Sequence, residues 1–239
     1  MMKDVQTLYQ HGTLALLVPG LFDGTITTSD LLTHGDTGIG TLAGLDGEVV
    51  IINGQAFQAA ADGTVNAVTD EMTMPFASVH TFDSQLPTTP VAAMTMMAFT
   101  AWLKQFAGLK NAFAGIVLTG TFNHVHVRVA PKQVKPYPPL TTATASQPEF
   151  TRNDVTGTVI GYFAPELYAG ATVGDFHLHF ISDDRQFAGH LLDFAITTGE
   201  VVTQVLPNLL LHLPTDNADF MHADIDLQGL NESINQAER

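Results

Sequence analysis

Cysteine is absent from this 239-residue chain. No disulfide framework exists, and a metal site has only His, Asp and Glu to draw on. The missing cysteine suits a reducing compartment, and the polar N-terminus lacks the layout of a signal peptide. The expectation is a cytoplasmic protein. Positive charge is also scarce, with 9 Lys and Arg against 24 Asp and Glu and a formal net charge of −15. Such a surface repels phosphate backbones and anionic headgroups, which argues against nucleic acid and membrane partners. Charged residues total 14%, against about 25% in an ordinary soluble domain. So few charges suit a compact, sheet-rich chain and make a homodimer plausible. Long apolar runs are missing too. The stretch Leu14–Phe22 is too short for a membrane span and is broken by Pro19 and Gly20.

What remains is 45% hydrophobic, enough for a sizeable core. Asp46-Gly47, Asn53-Gly54 and Asp62-Gly63 are hairpin-type dipeptides between the apolar segments Glu48–Ile52 and Gln55–Ala60. They predict a β-meander, preceded by a short helix at Ser29–Thr33. The stretch Thr88–Phe106 carries helix formers, a proline near its first turn and Gly108 beyond its end. It is expected to be a core helix between sheets. Strand-like segments then follow at 114–129, 158–163, 176–182, 190–197 and 201–206. The proline-rich run Pro131–Gln147 reads as a connector and domain boundary, and Leu227–Glu238 as weakly helical. The expected class is α+β and predominantly β, with a few helices. It divides into two closely packed domains, 1–131 and 132–239, the second carrying a histidine hairpin.

That hairpin is Gly174–Phe194, GDFHLHFISDDRQFAGHLLDF. Alternation along a strand points His177 and His179 to one face. A turn at Asp183–Arg185 sets His179 opposite His190, on that same face. Three imidazoles with open positions around them suit a catalytic zinc site better than a closed structural one, although three histidines also bind iron, manganese, cobalt or copper. Singly, histidines on strands are usually ordinary strand residues. His124 and His126 form a second H-x-H, with no third histidine on an evident partner strand.

Arg128, one of four arginines, sits in the apolar segment Val125–Val129. A guanidinium there needs an anionic partner, which is either a structural carboxylate or a substrate carboxylate or enolate oxygen. Glu48 enters an apolar strand just after a turn. It is either a solvent-facing strand start or an inward acid–base group beside a metal.

Together, GDTGIGTLAGLDGEVVIINGQAFQ, PKQVKPYPPL and FHLHFISDDRQFAGHLLDF resemble the α-acetolactate decarboxylases, in the family's order and over nearly the whole chain. The resemblance implies a two-domain, mostly β fold and a zinc held by His177, His179 and His190. It also implies a functional arginine at Arg128, a catalytic glutamate at Glu48 and a substrate-binding threonine at Thr41. A second catalytic glutamate near the C-terminus falls on Glu238, with Glu232 as the competing match. The implied reaction converts the small 2-hydroxy-3-keto acid 2-acetolactate to acetoin and carbon dioxide. No organic cofactor is needed, because the substrate's own ketone accepts the electrons. Two rival readings are a cupin-like metal-dependent oxygenase or isomerase, with Asp183 or Asp184 as ligand, and a β-sandwich binding protein.

Overall fold

The computed structural model describes residues 4–224 and 229–238, without the side chains of Asn231, Asn235 and Glu238. Strand takes 46% of the residues and helix 17%, so the chain is mostly β, as expected. The first sheet is built on the expected meander. β3 (Thr37–Thr41), β4 (Glu48–Ile52), β5 (Gln55–Ala59) and β6 (Val65–Ala67) pair in antiparallel succession. Asn53 and Gly54 both take positive φ, 53° and 73°, as the tight β4–β5 turn demands. Beyond β3 the sheet continues through β8 (Phe76–His80) and β1 (Thr7–His11) to β14 (Asn208–His212), which runs parallel to β1. A small ribbon of β2 (Ile26–Thr27) and β7 (Thr73–Met74) flanks it. The short helix α2 (Thr28–Leu32) is capped by Thr27 and begins one residue earlier than the expected Ser29.

The second sheet holds β9 (Thr89–Thr95), β10 (Phe113–Arg128), β11 (Glu149–Ala164), β12 (Asp175–Ser182) and β13 (Ala188–Leu206). β10 pairs with both β11 and β13, and β12 pairs with both β11 and β13, so four strands close on themselves. Inside this closure lies an aromatic core in which Phe122 packs edge-on against Phe180 and Phe194. A second core joins the sheets, with Ile39 and Val50 from the first meeting Ile160, Tyr162, Ile181 and Ala188 from the second.

Sheet membership does not follow the expected division at residue 131. β9 and β10 precede that point yet belong to the second sheet, and β14 follows it yet belongs to the first. The expected helix over 88–106 is also corrected. Thr89–Thr95 is a strand on the sheet's edge, and only Met96–Phe106 is helical, as α3, with Thr95 as its cap. Pairing with β13 overrides the helix-forming Ala and Met, and Pro90 is tolerated because an edge strand leaves one side unpaired. Nor is α3 enclosed between sheets. It buries Phe99 and Leu103 but leaves Met97 80% exposed and Phe106 57% exposed, so it covers one face of the sheet. Other short helices are α1 (Leu14–Leu17), α4 (Leu140–Ala143) within the proline-rich connector, and α5 (Ala218–His222). The last, α6 (Leu230–Glu238), packs Ile234 and Ala237 among Leu14, Leu17, Leu140 and Ala143.

Candidate metal centre

β12 and β13 form the hairpin with the register the spacing predicts, His179 directly opposite His190. Along β12, Leu178 and Phe180 turn into the aromatic core, so His177 and His179 face the first sheet. One potential ligand atom from each of His177, His179 and His190 falls within 4.8 Å of the other two, and all three side chains are buried.

The donor chemistry fits a metal ion. His179 Nδ1 lies 2.9 Å from the Val49 carbonyl, which can only accept, so the ring proton sits on Nδ1. That leaves the lone pair of Nε2 directed into the site, and Nε2 has no hydrogen-bond partner. A fixed tautomer held by a backbone carbonyl is the usual outer support of a ligating histidine. Burial, with the Arg128 charge second, pushes His177 down to about 3. Burial, then His177, holds His179 well below the usual imidazole range. Both rings are therefore neutral at ordinary pH, the form in which imidazole binds a metal.

Glu48 comes to the triad from the other sheet. Its Oε1 accepts the Ala130 N–H at 3.1 Å, and its Oε2 lies 3.5 Å from His179 Nε2. Its side chain is only 12% exposed, so the inward orientation replaces the solvent-facing one. Thr41, opposite Glu48 in the β3–β4 ladder, donates its hydroxyl to the Gly47 carbonyl at 2.8 Å and so braces the turn that presents Glu48. Arg128 pairs across the sheet with His190. Its Nη2 lies 3.4 Å from His190 Nε2 and donates to the Ala237 carbonyl at 2.7 Å, tying the end of α6 to the site.

These residues line one cavity: Thr41, Glu48, Arg128 and the three histidines on its polar side, with Leu14, Leu17, Leu45, Phe76 and Leu140 as apolar wall. The Glu238 side chain lies outside the described residues; its neighbour Ala237 lines the cavity, while Glu232 is exposed in the first turn of α6. The rival H-x-H stands elsewhere, with His124 against Asn153 and His126 against Glu149. Asp184 serves the hairpin turn through Ser182, Gln186 and Arg152, and neither it nor Asp183 lines the cavity. Sequence reasoning missed Gln147, whose Oε1 is buried in the cavity without a partner. It also missed the supports from the Val49 carbonyl and the Ala130 N–H. Backbone groups carry no residue-type signal, and Gln147 sits in an irregular connector.

An open cluster of three buried imidazoles beside a carboxylate and a guanidinium, in a mostly β protein, is a site that could hold a metal ion with positions left for substrate. The family is found by comparison. The model of the α-acetolactate decarboxylase family matches residues 8–227. The α-acetolactate decarboxylase of Lactococcus lactis subsp. cremoris is 35% identical over 237 residues, covering 99% of this chain and 100% of the relative. Among solved structures, the α-acetolactate decarboxylase of Bacillus subtilis superposes with a TM-score of 0.93 at 33% identity, over 97% of this chain and 99% of that one. A Staphylococcus aureus protein described as similar to α-acetolactate decarboxylase gives 0.92 at 37% identity, over 97% and 100%. The chain belongs to the α-acetolactate decarboxylase family.

Proposed function

We propose that this chain decarboxylates 2-acetolactate to acetoin and carbon dioxide, with zinc held by His177, His179 and His190. The observation that carries the reading is the meeting of the buried histidine triad, Glu48 and Arg128 in one cavity, in a chain that matches the family end to end. A zinc ion there supplies Lewis-acid stabilisation of charge on the substrate's ketone and hydroxyl oxygens.

The chain's own groups do the rest. Arg128 reaches the triad from β10, and its remaining N–H donors orient the substrate carboxylate. As the bond from the carboxyl carbon to C2 breaks, its electron pair moves into the adjacent ketone, and carbon dioxide leaves. Arg128 then supports the negative oxygen left behind. Glu48 delivers the proton to C2. Its carboxyl is fixed by the Ala130 N–H, so it approaches one face only and yields a single acetoin enantiomer. Thr41 retains a lone pair toward the cavity for the substrate hydroxyl. Glu238 is the second catalytic glutamate in this reading, because the residue before it lines the cavity whereas Glu232 is exposed. The leucine-rich wall excludes water and receives the methyl groups. The proposal includes a cytoplasmic homodimer, which the exposed Leu210, Leu211 and Leu213 on and beside the edge strand β14 support.

The test is acetoin formation from supplied acetolactate before chelation, after it, and with zinc restored. Activity lost and regained is expected. No acetoin from the metal-loaded protein overturns the reaction, and turnover indifferent to chelation overturns the role of the metal.

A further inference from the structure

A second group of histidines lies in the first sheet, on the elements that hold the C-terminal segment. His11 and His212 are register partners in the parallel pair of β1 and β14. Their Nδ1 atoms are 2.9 Å apart. The ring centres are 5.1 Å apart, close to the nitrogen separation plus two ring radii, so the two nitrogens face each other head-on. His11 is fully buried, and its other nitrogen is 2.7 Å from the Thr25 hydroxyl, which can serve either tautomer. One Nδ1 must therefore carry a proton and the other a lone pair.

We propose that His11 and His212 form a one-proton clasp that fastens β14 to β1 and opens when a second proton binds, releasing the C-terminal strand on acidification. Sterics carry the argument. Two N–H groups cannot both point into a 2.9 Å gap, so the doubly protonated pair must separate. Like charge adds to this. His212 is itself exposed, and around the pair stand Tyr9 on β1, Asp30 on α2, His34 just beyond α2 and Asp216 just after β14. Tyr9 stacks flat on His34 and brings no charge at neutral pH. Asp216 favours a charged His11, but burial and His212 outweigh it, and His11 is pushed down to about 4. His34 is itself lowered, by burial and then by His212, with Asp30 opposing. β14 is edge-paired to β1 alone, so few other bonds hold it. It is also the last strand before α6, the helix that walls the metal site.

The test reads hydrogen exchange of the full chain by mass spectrometry at pH 8 and pH 5, after correction for intrinsic exchange rates and without substrate. It is thus independent of the decarboxylase reading. A group that titrates near 6.5 when open and near 4 when clasped raises the open population about thirtyfold at pH 5. Residues 208–212 are expected to exchange faster by about that factor, with β10 unchanged. In His212→Asn the amide can turn to accept from a protonated His11, and the rise should fall below about threefold, with His212→Gln as a second neutral variant. The wild-type measurement needs no variant to fold. A wild-type β14 indifferent to pH overturns the proposal, as does an undiminished rise in a folded neutral variant.

Discussion

Replacing Glu48 by Gln separates proton delivery from every other task of that side chain. The amide is isosteric, and its oxygen still accepts the Ala130 N–H that the carboxylate accepts at 3.1 Å. Exchanging a charge-assisted bond for a neutral one at this site costs about 1 kcal/mol. The His179 tautomer is set by Val49 and not by Glu48, so that imidazole keeps its orientation. An amide cannot give up a proton at neutral pH, and losing a general acid lowers turnover by about 10²–10⁴-fold. The expected protein therefore unfolds within a few degrees of wild type, binds its full complement of metal and makes acetoin at least about a hundredfold more slowly. Acetoin colour development, metal analysis and thermal unfolding on one preparation read all three. Normal turnover would refute Glu48 as the donor. Loss of metal with turnover would show instead that the carboxylate 3.5 Å from His179 is itself a ligand.

Four further outcomes follow from the same geometry. His190→Ala removes one of the three proposed ligands and should strip the metal and the activity together; full metal content and activity in this variant would refute the three-histidine site. Arg128→Lys loses the planar guanidinium whose Nη2 reaches both His190 and the Ala237 carbonyl, so kcat/KM should fall by tenfold or more while the unfolding midpoint moves little; a large midpoint shift with unchanged kinetics would make Arg128 structural. Gly161 faces Leu178 across the β11–β12 ladder, and a Cβ on it would sit 2.0 Å from the His177 carbonyl. Gly161→Ala should push β12 aside, destabilise the fold by about 1–3 kcal/mol and weaken metal binding in a titration against a chelator; wild-type affinity would show that the hairpin does not need this close approach. His80 is buried against Tyr162, and burial lowers it to about 4. Its folded value lies below its unfolded 6.5, so its contribution is complete above 6.5 and is lost as pH falls toward 4. The loss is about 3 kcal/mol. Denaturation midpoints should drop over that window, and less steeply in His80→Gln; equal slopes would remove His80 as the cause.

Local patterns in the chain settled the local parts of this protein. The hairpin of His177, His179 and His190 was legible because strand alternation and one short turn determine which side chains share a face, and all three histidines lie within fourteen positions of sequence. The meander was legible for a similar reason, since Asn53-Gly54 demands its own turn geometry. The strand at Thr89–Thr95 was not, because its Ala and Met favour a helix and only the edge of β13 makes it a strand. Reading the residues alone left Glu48 between a solvent-facing strand start and an acid–base group, and Arg128 between a salt bridge and a substrate fork. Resemblance placed them in a site. Only the packing of one sheet on the other brings Glu48 to a histidine 131 positions later, and only that packing lets the Val49 carbonyl choose the tautomer of His179. Likewise the cavity wall joins α1, α4 and α6 from three distant parts of the chain. Side-chain periodicity is a property of a few consecutive residues. Which faces meet is decided by burying apolar surface across the whole chain, and no short stretch of sequence encodes it.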